Sequence, residues 1–222
     1  MSRLSKVKLE WSADFAYAVG LITSDGNLSP DGRHIHFTSK DYDLILQFKS
    51  CLKLQNKIGV KARGGSVEKK YFVIQFGDKN FYDFLLSLGL TPAKSKTLGP
   101  LLIPVEFFAD FLRGCIDGDG NISVSNHPES QHFQLRVRLA SASVQFLYWI
   151  KGEIAKNFNI TGGWIQDLGQ KGLNYYLAFG KSDSIIILKR IYYPGVSSYL
   201  SRKYLIGNKF LGEWRNWHTR TV

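Results

Sequence analysis

The chain has 222 residues, of which 44% are hydrophobic, so it can build a substantial core and wholesale disorder is excluded. Twenty-nine Lys and Arg against 18 Asp and Glu give a net charge of +11, which points to a polyanionic partner, nucleic acid ahead of an acidic membrane surface. Cys51 and Cys115 sit in apolar helical patterns with neither disulfide nor zinc spacing. With no signal-like segment and no bilayer-length apolar run, a soluble intracellular protein without a membrane partner is expected, its compartment undefined.

From about Trp11, the positions Phe15, Val19 and Ile22 recur at helical spacing until Gly26 stops the helix. Residues 27–33 read as a short strand entering a turn, and 34–37 as the returning strand. Ser39 or Asp41 caps a second helix whose apolar face is Leu44, Ile45, Phe48 and Leu52. A second hairpin joins 60–63 to 71–76 through Gly64-Gly65, and a third helix covers 80–88. The order is αββαββα. It then recurs, with a helix over 105–117, strands near 121–125 and 134–139, a helix over 144–158, strands near 163–167 and 174–179, and a helix over 183–191. A basic helix over 201–214 ends the chain.

The repeat is most exact at two segments 94 residues apart, Ala18-Val19-Gly20-Leu21-Ile22-Thr23-Ser24-Asp25-Gly26 and Leu112-Arg113-Gly114-Cys115-Ile116-Asp117-Gly118-Asp119-Gly120. Later in each half the offset grows to 103, which a longer hairpin around Asn126–Ser130 accounts for. The halves are expected at residues 1–98 and 99–222. In each, alternation puts apolar residues on one sheet face and long polar side chains on the other. The polar set is His34, His36, Lys61, Arg63, Tyr71 and Gln75 in the first half. In the second it is Gln134, Arg136, Arg138, Trp164, Gln166, Asn174 and Tyr176. These types reach base edges and phosphates in a major groove, and Asn27, Ser29, Arg33, Lys40, Ser123 and Ser125 extend the same surface.

An Asp at a helix C-terminus faces the negative end of the macrodipole, and a cation beside it would relieve the conflict. Gly20 and Gly114 let two such helices approach closely, which would bring Asp25 and Asp119 together as oxygen ligands for Mg²⁺. A divalent ion held there with a phosphate suits phosphodiester hydrolysis. Asp117-Gly118-Asp119-Gly120-Asn121 also opens like a calcium loop. That reading fails, because Ile122 stands where its glycine belongs and Pro128 where its bidentate Glu should be.

With the αββαββα order, these segments resemble the two signature helices of single-chain LAGLIDADG homing endonucleases. The second copy resembles them closely and the first more loosely, and the likeness covers nearly the whole chain. The resemblance implies an α+β monomer of two pseudo-symmetric halves, with the motif helices at the interface and antiparallel sheets forming a saddle over double-stranded DNA. It implies recognition of a long asymmetric site and cleavage of both strands across the minor groove, leaving 3′ overhangs. Mg²⁺ is the implied cofactor, with Mn²⁺ or Ca²⁺ able to take the same sites. The metal ligands would be Asp25 and Asp119, with the carbonyls of Ser24 and Gly118 accessory. Asp117, whose counterpart is Thr23, is assigned to capping. Lysines late in each half of the family stand near the metals; Lys96 and Lys203 are the candidates, with Lys94 a rival. The water-ordering Gln that often follows the second strand is replaced by Ser39 and Lys40 in one half and Ser141 in the other. An intron-encoded origin is implied. The alternatives are a maturase of this fold that binds its host intron RNA, and a DNA-binding regulator without cleavage.

Overall fold

A computed structural model describes residues 5–62, 68, 70–126, 133–169 and 175–218, with side chains to Gly212. Helix α1 (Ala13–Asp25) begins two residues after Trp11, because the Ser12 hydroxyl accepts from the Phe15 N–H at 3.2 Å and caps it. Trp11 instead stacks its indole on Phe107, 6.0 Å between centroids. Strands β1 (Gly26–Leu28) and β2 (His34–Ser39), helix α2 (Tyr42–Cys51), strands β3 (Gly59–Lys61) and β4 (Tyr71–Gly77) and helix α3 (Lys79–Ser87) complete the first αββαββα unit. Asp78 caps α3 through the Phe81 N–H at 3.0 Å and also accepts from the N–H groups of Lys6 and Val7, which pins the incoming segment.

The second unit is α4 (Phe108–Asp119), β5 (Gly120–Asn126), β6 (Phe133–Ser141), α5 (Val144–Phe158), β7 (Trp164–Asp167), β8 (Tyr175–Phe179) and α6 (Lys181–Ile191). A single 3₁₀ turn (Val105–Phe107) leads into α4, which runs through Asp119 rather than ending at 117. The backbone first leaves helical values at Gly120, whose N–H bonds the Ile116 carbonyl. Helix α7 (Ser201–His218) extends past the expected 214.

Two four-stranded antiparallel sheets result, in the orders β1-β2-β4-β3 and β5-β6-β8-β7. Their registers carry the expected alternation. Ile35 pairs with Phe76 and Phe37 with Ile74 on the buried face of one sheet, and Leu139 with Leu177 on that of the other. Val60 departs from the pattern and is exposed on the edge strand β3. Phe48 on α2 and Phe146 and Ile150 on α5 close the inner faces, and α1 and α4 pack together between the two units. No helix among the described residues is long and apolar enough to cross a membrane.

Candidate functional site

The two glycines set the geometry of the helix pair. A Cβ on Gly20 would stand 2.2 Å from the Phe111 carbonyl oxygen, and one on Gly114 would stand 2.2 Å from that of Tyr17. The clashes are related by the 94-residue offset, so the pair crosses on a pseudo-two-fold axis with backbone against backbone. Its carboxyl ends meet as well. A Cβ on Gly118 would lie 2.0 Å from the Ser24 hydroxyl oxygen and 3.2 Å from Asp25 Oδ2, so the first carboxylate hangs over the last turn of the second helix. Asp119, the final residue of α4, is exposed, and Asp25 is half-buried at the end of α1.

Neither helix has a basic residue in its last turn, so both carboxylates face negative dipole ends uncompensated from within. Two buried lysines from outside supply the cations. Lys94, in a 3₁₀ turn (Lys94–Lys96), donates to the Gly26 carbonyl at 2.5 Å. Lys203, on α7, donates to the carbonyls of Ile116, Gly120 and Asp117 at 2.6, 2.6 and 2.9 Å, with Gly118 at 3.5 Å. Burial pulls both ammonium groups down to about 8, against an upward pull from Asp119 and Asp25 on Lys94 and from Asp117 and Asp25 on Lys203. Lys96 is exposed at the far end of its turn. Side chains two apart in a 3₁₀ turn diverge, so only one of this pair can face the helix ends.

Asp117 sits beneath Lys203 and is fully enclosed. Its carboxylate accepts from Tyr17 Oη at 2.9 Å, Tyr192 Oη at 3.2 Å and the Leu200 N–H at 2.7 Å. Burial nevertheless raises it to about 6, and burial first, then the Asp117 charge, lifts both tyrosines well above their usual range. The counterpart Thr23 turns its hydroxyl back to the Val19 carbonyl at 2.8 Å. One turn earlier, buried Arg113 pairs with Asp110 at 2.8 Å and donates to the carbonyls of Ser198 and Ile191 at 2.7 and 2.8 Å. This network straps residues 191–200 across α4 and so fixes where α7 starts. Sequence reasoning passed over Tyr17, Tyr192, Arg113 and Asp110; a lone arginine inside an apolar motif helix was the available signal.

The outward sheet faces carry the expected polar rows. Asn27, His36 and Gln75 lie in one cross-strand row, and Lys61 pairs with Tyr71, over whose ring Lys40 lies at 5.3 Å. His36 is held below its usual pKa by burial and then by Lys61. His34 is engaged by Asp31, which also accepts from the Arg33 N–H; Arg33 itself is exposed, and the Ser29 N–H closes the hairpin onto the His34 carbonyl. On the other sheet Ser125 faces Gln134, Ser123 faces Arg136, and Asn121, Arg138, Ala178 and Trp164 form one row. Tyr176 donates to Gln166 Oε1 at 2.7 Å and lies under the Arg138 guanidinium at 5.6 Å. Arg138 Nε is buried without a hydrogen-bond partner among the described residues. Arg63 and Asn174 lie outside the described residues.

No protein-family model matches the chain, and no curated protein matches it in sequence. Solved structures do match. The homing endonuclease I-WcaI bound to its DNA recognition sequence aligns with a TM-score of 0.62 at 12% identity, over 92% of this chain and 88% of that one. I-DmoI in complex with DNA and Mn aligns at 0.56 with 17% identity, over 83% and 98%. This chain has the LAGLIDADG homing endonuclease fold. Full-length DUF199/WhiA from Thermatoga maritima shares it, at a TM-score of 0.56 and 17% identity over 96% of this chain and 70% of that one.

Within the LAGLIDADG fold the Gln replacements have a local use. The hydroxyls of Ser39 and Ser141 accept from the N–H groups of Asp41 and Ser143, both at 3.1 Å, and tighten the turns into α2 and α5. Asp41 occupies the N-cap position of α2, but its side chain makes no cap hydrogen bond. Among the described residues no group of three or more His, Cys, Asp and Glu converges. The donors at the LAGLIDADG helix ends are two carboxylates and backbone carbonyls. A hard cation that keeps waters and takes phosphate oxygens fits such an all-oxygen, incomplete set, whereas zinc does not. The Gly118 cradle supports that fit, since a side chain there would displace Ser24 and press on the Asp25 carboxylate beside it.

Proposed function

We propose that this protein is a metal-dependent, site-specific endonuclease of double-stranded DNA. It would read a long asymmetric site through the major groove with its two sheet faces and cut across the minor groove to leave 3′ overhangs. The observation that carries the reading is the junction of α1 and α4, where Asp25 lies against Gly118 beside the end of α4 that bears Asp119, with two buried lysines alongside. The fold alone does not carry it, because DUF199/WhiA shares the fold under a name that is not that of a nuclease. Retention of both acids favours cleavage over binding without chemistry. The I-WcaI and I-DmoI structures hold DNA, which supports the same partner here.

Asp25 and Asp119 would hold a divalent cation, Mg²⁺ or Mn²⁺, with the Ser24 and Gly118 carbonyls within the same turn. When bound, the ion would lower the pKa of a water and offset charge on the leaving oxygen. The chain itself does the rest. The Gly20–Gly114 crossing holds the carboxylates at fixed separation, so little reorganisation is needed on binding phosphate. Lys94 sets a positive charge beside both acids, where a phosphate would also be attracted. The rows around His36 and Arg138 bring base-reading groups to either side of the helix pair.

The test begins with selection of a target from a randomised DNA library in Mg²⁺. Asp25→Asn or Asp119→Asn should then abolish double-strand cleavage while leaving affinity for the selected target within a few-fold. A variant that cuts at the parental rate would remove the carboxylate pair from the chemistry.

A further inference from the structure

The two buried lysines stand at equivalent places, one on the carbonyl of Gly26 and one on that of Gly120, but their surroundings differ. An ammonium has three N–H groups. Lys203 directs all three at carbonyl oxygens within 2.9 Å, and a fourth carbonyl lies at 3.5 Å. Two of those oxygens, on Ile116 and Asp117, belong to the last turn of α4, which has no other basic cap. Lys94 has one such bond, to Gly26, among the described residues. Two of its N–H groups remain uncommitted there.

Charge partners lean the same way, although Asp25 pulls on both ammonium groups. The leading opposite charge on Lys203 is Asp117, itself locked by Tyr17, Tyr192 and the Leu200 N–H. The opposite charges on Lys94 are Asp119 and Asp25, the proposed metal ligands. Lys94 has no buried carboxylate of its own, because Thr23 stands where Asp117 would be and turns its hydroxyl to Val19. Lys203 is further immobilised by its neighbour Arg202, which grips Asp41 at 2.9 Å from across the molecule.

We infer that Lys203 is a strut holding the end of α4, that Lys94 alone has donors available to a scissile phosphate or its attacking water, and that the two DNA strands are therefore cut at unequal rates. This rests on the nuclease reading above. The halves have diverged in the same residues that distinguish their motifs: Asp117 recruits Lys203 into the scaffold, and Thr23 leaves Lys94 to the chemistry.

Supercoiled plasmid bearing the selected target reads nicking, and a linear duplex of the same target with one strand or the other end-labelled reads the two cuts independently. The wild-type protein should cut one strand about tenfold faster and accumulate nicked circle. Lys94→Met should slow that strand by about 100-fold and leave the other within a few-fold. Lys203→Met should instead lower the melting temperature of the DNA-free protein by about 5–10 °C, more than Lys94→Met does. What remains folded should keep the wild-type ratio between strands. Equal strand rates in the wild-type protein would overturn the inference whether or not either variant folds. So would a Lys203→Met protein that melts normally and loses one strand only. Failure of the wild-type protein to cut any sequence in Mg²⁺ or Mn²⁺ would defeat the nuclease reading and the inference with it, whereas unequal melts with equal cuts would defeat the inference alone.

Discussion

If the protein binds DNA as proposed, Arg138 is where a single side chain separates the two modes of contact. Its guanidinium lies over Tyr176, which in turn holds Gln166, while Nε is buried with no acceptor among the described residues. A half-buried arginine stacked on a tyrosine has its guanidinium held in a fixed orientation, which suits it to the O6/N7 edge of a guanine. Arg138→Ala is expected to cost about 1–3 kcal/mol on the selected target and to relax preference at one base position, read by binding to a library mutated one position at a time. Uniform weakening on all sequences would make it a phosphate contact. The alternation of β6 was enough to put Arg138 on the outward face. Its stacking partner and its orphaned Nε depend on cross-strand register, which one strand's sequence does not contain.

Between elements, the crossing of α1 and α4 is the contact that makes one molecule of two halves. Gly20→Ala and Gly114→Ala each drive a methyl into a backbone carbonyl, which cannot rotate away as a side-chain tip could. Each should destabilise by about 1–3 kcal/mol in chemical denaturation, despite the better helix propensity of alanine. Together they should cost less than the sum, since helices already parted for one methyl accommodate the second. Gly152 in α5 is the control: nothing lies within 4 Å of its would-be Cβ, so Gly152→Ala should stabilise by up to about 1 kcal/mol. The crossing was legible because two glycines at equal offsets need a joint explanation. Element order was legible for the same reason, each half checking the other. The Lys94–Lys96 turn was not, since a 3₁₀ turn leaves no periodicity and gives no sign of which lysine faces inward. The strap of residues 191–200 was hidden too, because Arg113, Asp110 and Asp117 lie next to the motif in sequence while their partners come from some 75 residues or more away.

At the scale of the molecule, the net charge of +11 has to be set against where the cations sit. Lys94, Lys203 and Arg113 are buried and their charges are met by carbonyls and carboxylates within the fold, so they add little to an outward field. The field an approaching polyanion would meet comes from exposed groups such as Lys40, Lys61 and Arg136 on and beside the sheet faces. If these track the two strands as proposed, each phosphate they neutralise releases condensed counterions, and affinity falls with the logarithm of salt concentration. About 6–10 such contacts would lower affinity by about 10³–10⁵-fold between about 50 and 200 mM salt, measured with Ca²⁺ in place of Mg²⁺ to hold the DNA intact. Replacing Lys61 with Gln should make the slope shallower by about one unit and weaken all sequences alike, whereas Arg138→Ala should leave the slope nearly unchanged. A shallow slope in the wild-type protein would mean that the sheet faces do not lie along the duplex, and would send the search for the polyanion to another surface.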